Sequence, residues 1–332
     1  MKKSLLLIVL ATAALAAPPT YKLNSKIKIG GAATWDYLFL DSSEHRLYVS
    51  HGTETVVVDT AADKVVGKID GTNGVHGIAI ANDLGIGFTS DGRDNDVTVF
   101  DLKTLAVKSK IKTGSNPDSI IYEPITHRVF TLNGRSNDAT VIDAKTLSVV
   151  TASVPVGGKP EFVRADGKGH LYVNIENTAE IIDIDAKNAL VTRRYSIAPC
   201  AEPSGMAMDP KGRLYSVCSN KLMVVSDPVA GKVLASLPIG AGADGAAFDD
   251  GYAFSSNGQD GTITMVGETS PGKFEVVATI KTQMRSKNIE ADQKGHKLFL
   301  PGAEYTNVEA KDGKKGGLQA APDSFEILVV GR

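Results

Sequence analysis

The chain of 332 residues has few cysteines and few aromatic residues: it contains two cysteines, one tryptophan and only 6% aromatic residues. It carries no G-x-S-x-G elbow, no H-E-x-x-H pair, no phosphate-binding glycine loop followed by Lys-Ser/Thr, and no C-x-x-C-H haem site. Its serines and histidines offer no recognisable pair of nucleophile and base. The sequence therefore identifies no catalytic residue.

Long basic runs and long apolar runs are also missing, apart from one short apolar stretch at the start. Lys2 and Lys3 precede the apolar residues 5–15, and Ala14-Leu15-Ala16 forms a small-x-small cleavage site. The apolar stretch is too short to span a bilayer, so we expect a cleavable signal peptide over residues 1–16 and a periplasmic or secreted protein. Its removal moves the formal net charge from −2 to −4, which gives little support to nucleic-acid or anionic-membrane binding.

What the chain does contain is a strand pattern that returns seven times, from RLYVS ending at Ser50 to KLFLPG ending at Gly302. The acidic residue that closes the next apolar run recurs every 42 residues and then after 41, at Asp59, Asp101, Asp143, Asp185, Asp227 and Glu268. A period of this length, filled with short strands, is typical of β-propeller blades, which must pack on one another to bury their faces. We predict an all-β fold, a single seven-bladed propeller over residues 21–332.

Each repeat predicts four antiparallel strands, here called a to d from the centre outward. The seventh repeat reaches its third strand at residues 325–330 and then ends, without a fourth strand. Residues 21–30, YKLNSKIKIG, are similar to the fourth strands of other repeats. We therefore expect the N-terminal strand to complete the last blade and close the ring.

Recurrence also assigns many polar residues to turns. The acidic residue after each strand c begins a turn in which its carboxylate can accept backbone N–H groups. Four histidines precede strand b, in the turn opposite the face discussed below, and are predicted to be solvated: His45, His127, His170 and His296. These residues are expected to be structural.

Two features depart from the regular repeat. The seventh blade has an insertion at about residues 302–323 between strands b and c, which is either a lid anchored through Tyr305 and Val308 or, given its KDGKKGG segment, a mobile loop. Cys200 lies just before an inner strand, and Cys218 ends the strand that runs back beside it. In an exported protein we expect a disulfide, the alternative being two separately buried thiols.

The connections into strand a and the loops between strands b and c open on one face, here called the top face. At the middle position of each strand-a entry the repeats place one residue of a ring, which we predict as a ligand-binding site: Asp36, His76, Asp118, Glu161, Ser204, Asp244 and Lys287. Converging carboxylates can recruit a cation, or the same side chains can bond the backbone of the neighbouring blade. His51 with His76 and Asp36 offers ligands for a divalent transition metal, and the acidic ring offers ligands for Ca²⁺.

Around this ring the top face carries a rim of candidate binding residues: Trp35, His51, Arg93, Arg135 and Arg285. The arginines could hold a carboxylate or phosphate, or could form a solvated rim that keeps the face soluble. Trp35 is either a packing residue between blades or a stacking platform for a ligand. The ligand itself, and any cofactor other than a possible divalent metal, stays unknown from the sequence.

The segment RLYVSHGTETVVVDTAADKVVGKI, residues 46–69, resembles the YVTN repeat, as does FTLNGRSNDATVIDAKTLSVV. The resemblance spans residues 21–332, is weakest in the fifth to seventh repeats, and implies a secreted or periplasmic propeller of the YncE-like group. Relatives of that group include binding scaffolds, lactonases and partners of quinone-containing dehydrogenases. We expect a monomeric, non-catalytic binding or scaffold protein that takes a small ligand or protein partner at its top face. The alternatives are a metal-assisted hydrolase of the propeller lactonase type and an electron-transfer partner.

Overall fold

A computed structural model describes residues 17–308 and 317–332, so the predicted signal peptide over residues 1–16 lies outside the described residues. Seven four-stranded antiparallel sheets form the ring of the predicted propeller. One strand precedes the first blade, β1 (Lys22–Lys28). Blade 1 then consists of β2 (Leu38–Asp41), β3 (Arg46–His51), β4 (Glu54–Asp59) and β5 (Lys64–Asp70).

The next three blades follow the same plan. Blade 2 consists of β6 (Val75–Ala81), β7 (Ile86–Asp91), β8 (Asp96–Asp101) and β9 (Val107–Lys112). Blade 3 consists of β10 (Pro117–Glu123), β11 (Arg128–Asn133), β12 (Asp138–Asp143) and β13 (Ser148–Pro155). Blade 4 consists of β14 (Pro160–Ala165), β15 (His170–Ile175), β16 (Glu180–Asp185) and β17 (Leu190–Ser196). Two short 3₁₀ turns interrupt these blades at Asn82–Leu84 and Glu176–Thr178.

The last three blades complete the ring. Blade 5 consists of β18 (Pro203–Met208), β19 (Leu214–Cys218), β20 (Leu222–Asp227) and β21 (Lys232–Pro238). Blade 6 consists of β22 (Ala243–Asp249), β23 (Tyr252–Asn257), β24 (Thr262–Ser270) and β25 (Lys273–Lys281). Blade 7 contains β26 (Glu290–Asp292), β27 (Lys297–Gly302), a hairpin of β28 (Tyr305–Val308) and β29 (Gly317–Ala320), and β30 (Glu326–Gly331).

Burial follows the position of each strand within its blade. The middle strands are almost wholly buried, whereas six outer strands bury only one side chain each: Ile27, Ile69, Ile111, Val154, Tyr195 and Leu237. The core lies between neighbouring blades: Phe130 and Val141 of blade 3 pack with Val163 and Val173 of blade 4. This packing agrees with the expectation that one blade cannot bury its own faces.

The N-terminal strand completes the last blade, as predicted. Strand β1 pairs antiparallel with β30, with Ile27 opposite Ile327 and Lys28 opposite Glu326. The order within this sheet is β1-β30-β27-β26, so the chain start supplies the outermost strand of blade 7. Because β30 is paired on both sides, the last blade presents no unpaired strand at this point.

The turn residues behave as the repeat indicates. Five aspartates each accept backbone N–H groups two and three residues further on: Asp59, Asp101, Asp143, Asp185 and Asp227. Glu268 accepts the N–H of Gly272. Three of the four turn histidines are not simply solvated, because each lies about 3 Å from a carboxylate: His127 from Asp83, His170 from Asp183 and His296 from Asp249.

Three further features bear on the sequence predictions. Cys200 and Cys218 are joined in a disulfide, with their Cα atoms 5.4 Å apart. The insertion of blade 7 begins and ends as a two-stranded hairpin in which Tyr305 pairs with Ala320, while the Lys/Gly-rich tip at residues 309–316 lies outside the described residues. In the part of the chain that the structure describes, no helix is long and apolar enough to cross a membrane.

Candidate functional site

A β-bulge that recurs in the inner strands turns ring side chains toward the centre of the propeller. In blade 3, Pro117 pairs with Asn133 and Ile120 with Thr131, so β10 has one residue more than β11 around Asp118. Blades 2, 4, 5 and 6 have a register shift at the same point, next to His76, Glu161, Ser204 and Asp244. A β-bulge of this kind redirects the side chain that it contains. Asp36 and Lys287 occupy the corresponding place just before their shorter inner strands.

Two glycines let the inner strands come close enough to form this ring. A Cβ atom on Gly205 would lie 2.6 Å from the carbonyl oxygen of Asp244, and one on Gly245 would lie 2.5 Å from Cα of Asn288. Each glycine directly follows a ring residue, so the backbones of adjacent blades approach where the ring side chains emerge. A larger residue there would separate the inner strands.

The ring is not evenly connected but divides into three charged groups. Asp36 Oδ2 lies 2.5 Å from Nδ1 of His76, and Asp118 Oδ1 lies 3.8 Å from the same nitrogen. The ammonium of Lys287 lies 3.0 Å from Asp244. On the remaining side, Glu161 pairs at 3.2 Å with a residue outside the ring, Lys159.

Two residues that the sequence reasoning missed contact these groups. The amide nitrogen of Asn288 lies 3.3 Å from Oδ1 of Asp36 and 3.5 Å from Oδ2 of Asp244, so it bridges two of the three groups. Lys159 contacts both Glu161 and Glu176. Asn288 directly follows Lys287, and Lys159 lies two residues before Glu161, which was the only available signal for them.

Burial and like charge raise several pKa values in this ring. Burial, followed by the charge of Asp36, raises the pKa of Asp118. Burial and the charge of Asp118 likewise raise the pKa of Glu161. Burial lowers the pKa of His76, but the hydrogen bond to Asp36 and the charges of Asp118 and Asp36 outweigh it, so the pKa is raised overall. The ring therefore favours protonation states that carry less negative charge.

The alternative role for the ring, bonding to the neighbouring backbone, is seen at one position. Ser204 Oγ donates to the carbonyl oxygen of Ala243 at 3.4 Å. Among the described residues, no such bond is found for the side chains of Asp36, His76, Asp118 or Glu161. The charged side chains of the ring therefore approach other charged side chains and not the neighbouring backbone.

His51 does not join Asp36 and His76. Its Nε2 lies 2.6 Å from the carbonyl oxygen of Ala32, and its Nδ1 lies 3.2 Å from Glu54. Its ring stacks on Phe325 with 4.8 Å between the ring centroids. Both nitrogens have partners, so the structure does not assemble the predicted set of His51, His76 and Asp36. Instead, Asp118 is the third residue beside His76 and Asp36.

The rim residues are arranged differently from one another. Arg93 and Arg135 are exposed in the loops of blades 2 and 3, and the stem of Arg93 packs across Gly74. Arg285 lies over the ring of Tyr305, 4.8 Å from its centroid. Because Tyr305 starts the hairpin of blade 7, this contact attaches the described part of the insertion to the top face.

A cavity of about 590 Å³ opens beside the ring, between blades 1, 6 and 7. Its main polar and aromatic lining residues are Trp35, Asp244, Gln259, Arg285, Lys287 and Tyr305. Trp35 is a packing residue between blades, since it stacks on Phe325 at 5.3 Å between centroids, and it also lines this cavity. A second cavity of about 220 Å³ lies between the inner strands of the blades and is lined in part by Tyr37, Phe162 and Glu290.

No protein-family model matches the chain, and no curated protein matches it. Among solved structures, the WD40 repeats of RRP9 are 8% identical, with a TM-score of 0.77 over 92% of this chain and 97% of that one. U3-55K is 8% identical with a TM-score of 0.76 over the same shares. Hydrazine synthase of Kuenenia stuttgartiensis is 16% identical, with a TM-score of 0.69 over 87% of this chain and 95% of that chain. At these identities the likeness concerns the fold: the chain is a seven-bladed β-propeller with WD40-like structural neighbours.

Proposed function

We propose that this protein is an exported, monomeric and non-catalytic binding protein of the YVTN type, which takes a small organic anion at its top face. The observation that carries this proposal is the cavity of about 590 Å³ between blades 1, 6 and 7. Its volume falls in the range of small-molecule sites, and it combines aromatic walls with a few polar groups. The propeller fold and its WD40-like neighbours are consistent with a binding role.

The charges of the cavity favour an anionic ligand. Lys287 and Arg285 both line it, and Lys287 is already paired with Asp244 at 3.0 Å. Arg285 forms no ion pair with the described residues, and its guanidinium is exposed over Tyr305. A guanidinium in this position can hold a carboxylate through two hydrogen bonds.

The aromatic residues favour a ligand with a flat apolar part. Trp35 and Tyr305 both line the cavity, and Trp35 is supported by its stack on Phe325. Rigid aromatic side chains bury ligand area at a low cost in conformational entropy. An aromatic or unsaturated carboxylate would meet both the arginine and the aromatic walls.

The experiment uses Trp35, the single tryptophan of the chain, as a reporter inside the proposed site. Benzoate is titrated into the mature protein, and we expect saturable quenching of Trp35 fluorescence. Arg285→Ala should abolish or strongly weaken this quenching, whereas Lys145→Ala, an exposed turn residue of blade 3, should leave it unchanged. Native mass spectrometry of protein exported with its own leader then shows whether a small anion is retained.

The outcomes separate this proposal from the alternatives. Quenching that is absent, or that Arg285→Ala leaves intact, together with no retained ligand, would overturn the proposed site. Turnover of a lactone by metal-supplemented protein would instead favour the hydrolase alternative. If a protein partner is found and no small ligand binds, the scaffold role is kept and the proposed anion site is rejected.

A further inference from the structure

A second site lies in the ring itself, next to the cavity but built from other residues. Asp36, His76 and Asp118 each offer a ligand atom, and these atoms lie within 4.8 Å of one another. Among residues 17–308 and 317–332 this is the only group of three potential metal-ligating side chains that close together. We infer that Asp36, His76 and Asp118 bind a divalent transition-metal ion.

Each ligand comes from a separate blade and is held in place by its own surroundings. The backbone N–H of Asp36 donates to Ser50 Oγ at 2.7 Å, and Asn288 contacts Oδ1, which leaves Oδ2 for His76. His76 and Asp118 sit at the bulges of β6 and β10. Two of the three ligands therefore lie in inner strands, and Asp36 is fixed two residues before a third by its contacts with Ser50 and Asn288.

An unsatisfied acceptor points to a missing ligand at this site. Oδ1 of Asp118 is buried and accepts no hydrogen bond from the described residues, although it lies 3.8 Å from Nδ1 of His76. A buried acceptor without a partner is rare and costly in proteins. A metal ion between this oxygen and the imidazole nitrogen would supply the partner that the chain itself does not.

The position of the imidazole depends on a glycine in the top loop of blade 2. A Cβ atom on Gly92 would lie 2.6 Å from Nε2 and 2.7 Å from Cδ2 of His76. Gly92 does not have a positive backbone φ, so a side chain at this position is excluded by lack of space and not by backbone conformation. The ring of His76 therefore occupies the volume that any other residue at position 92 would fill.

The charges around the three residues favour a cation. The nearby ammonium groups are already paired, Lys287 with Asp244 and Lys159 with Glu161 and Glu176. This leaves two carboxylates facing one imidazole. A divalent ion would take the place of the hydrogen bond between Nδ1 of His76 and Oδ2 of Asp36, which lie 2.5 Å apart, and both atoms would become its ligands.

The donor set selects a class of metal. One imidazole and two carboxylates suit Zn²⁺, Mn²⁺ or Fe²⁺, whereas Ca²⁺ prefers six to eight oxygen ligands. The side chains of Asp36 and His76 are 24% and 28% exposed, so solvent can fill the remaining positions. This site does not rest on the anion cavity, which shares none of the three residues.

The test measures Zn²⁺ binding to the mature protein after treatment with a chelator. Isothermal titration calorimetry should show one equivalent bound, and Co²⁺ should give d–d absorption bands of a site with nitrogen and oxygen ligands. We expect His76→Ala and Asp118→Asn each to weaken Zn²⁺ binding by at least about tenfold. Gly92→Ala keeps all three ligands, yet it should weaken binding by about 10-fold to 100-fold because it displaces the imidazole.

The matched control is His170, which lies beside both oxygens of Asp183 but belongs to no group of three. His170→Ala should leave Zn²⁺ affinity and stoichiometry unchanged. Far-ultraviolet circular dichroism and thermal unfolding of each variant identify any loss of fold. The inference is overturned if the folded protein binds no stoichiometric Zn²⁺, or if binding survives both His76→Ala and Asp118→Asn.

Discussion

Trp35 stacks on Phe325, with 5.3 Å between the ring centroids and 12° between the ring planes. His51 stacks on the same phenylalanine at 4.8 Å. Phe325 directly precedes β30, the strand that pairs with the N-terminal β1. The ring of Phe325 therefore packs on two residues of the top face near blade 1, and it shares an apolar cluster with Ile27 of β1.

Replacing Phe325 by alanine should destabilise the whole propeller. Phe325 is fully buried, and truncation of a buried aromatic residue costs about 3–5 kcal/mol. We expect this loss in the free energy of unfolding, measured by guanidinium titration with circular dichroism. Ile125→Ala is the control, since Ile125 is 59% exposed and should change stability by less than about 0.5 kcal/mol. Equal effects of the two substitutions would contradict this role.

Removal of the N-terminal strand should open the ring. A chain that starts at residue 31 lacks β1, so β30 would lose its outer partner and Ile27 would be missing from the core. We expect a lower melting temperature than for a chain that starts at residue 21. A synthetic peptide of residues 21–30, added in excess, should raise that temperature again by binding the folded form. A truncated chain as stable as the longer one would reject closure by β1.

Asp91 should make stability depend on pH. Burial raises its pKa from 3.8 to about 7, although hydrogen bonds from Thr98 and Thr89 act in the opposite direction. Because the folded state binds this proton more tightly than the unfolded state, stability falls as pH rises from about 4 to about 7. The loss from this residue alone is up to about 4 kcal/mol. Above pH 7 it should change no further.

Asp91→Asn should remove this dependence and leave the protein more stable than wild type at pH 8. Blades 3 and 6 already use asparagine here: Asn133 accepts from Thr131 and donates to Thr140, and Asn257 contacts Ser255 and Thr264 in the same way. The measurement compares the free energies of unfolding of both proteins at pH 5 and pH 8. Parallel curves for the two proteins would show that Asp91 is not the titrating group.

The disulfide should contribute mainly to overall stability. It joins residues 18 apart in the chain, and closing a loop of this size stabilises a protein by about 3 kcal/mol through the unfolded state. We expect the double substitution of Cys200 and Cys218 by alanine to lower the free energy of unfolding by about this amount. Adding dithiothreitol should destabilise wild type and leave the double variant unchanged. A reductant effect on both proteins would have another cause.

Much of the fold could be predicted because its evidence recurs along the chain. The strand at Ser50, Ser90 and Asn133 returns as a continuous apolar segment, and in the structure each copy is buried over almost its whole length. The aspartate turns depend on residues only two or three positions apart. The missing last strand of blade 7 pointed to its replacement at residues 21–30. Such features are local or repeated, so alignment of the repeats was enough to find them.

The site required contacts between blades that no spacing reveals. The alignment of the repeats placed Asp36, His76 and Asp118 at equivalent positions. It could not show that both ring nitrogens of His51 already have partners, in Ala32 and Glu54. Nor could it find that Asn288 bridges Asp36 and Asp244. Each outcome depends on which partners compete for one side chain, close to blade 1 for His51 and across blades 1, 6 and 7 for Asn288.

The repeat in the chain thus determines the number of blades, their strand order and the closure of the ring, because each blade repeats one order of short strands and turns at a fixed period. Only the tertiary structure decides which ring residues meet, where the cavity of about 590 Å³ opens, and that Asp118 stands beside His76. The physical reason is that a one-residue β-bulge in an inner strand redirects the side chain that it contains toward the centre of the propeller. Charge and hydrogen bonding between these side chains, which are far apart in the sequence, then select the final arrangement.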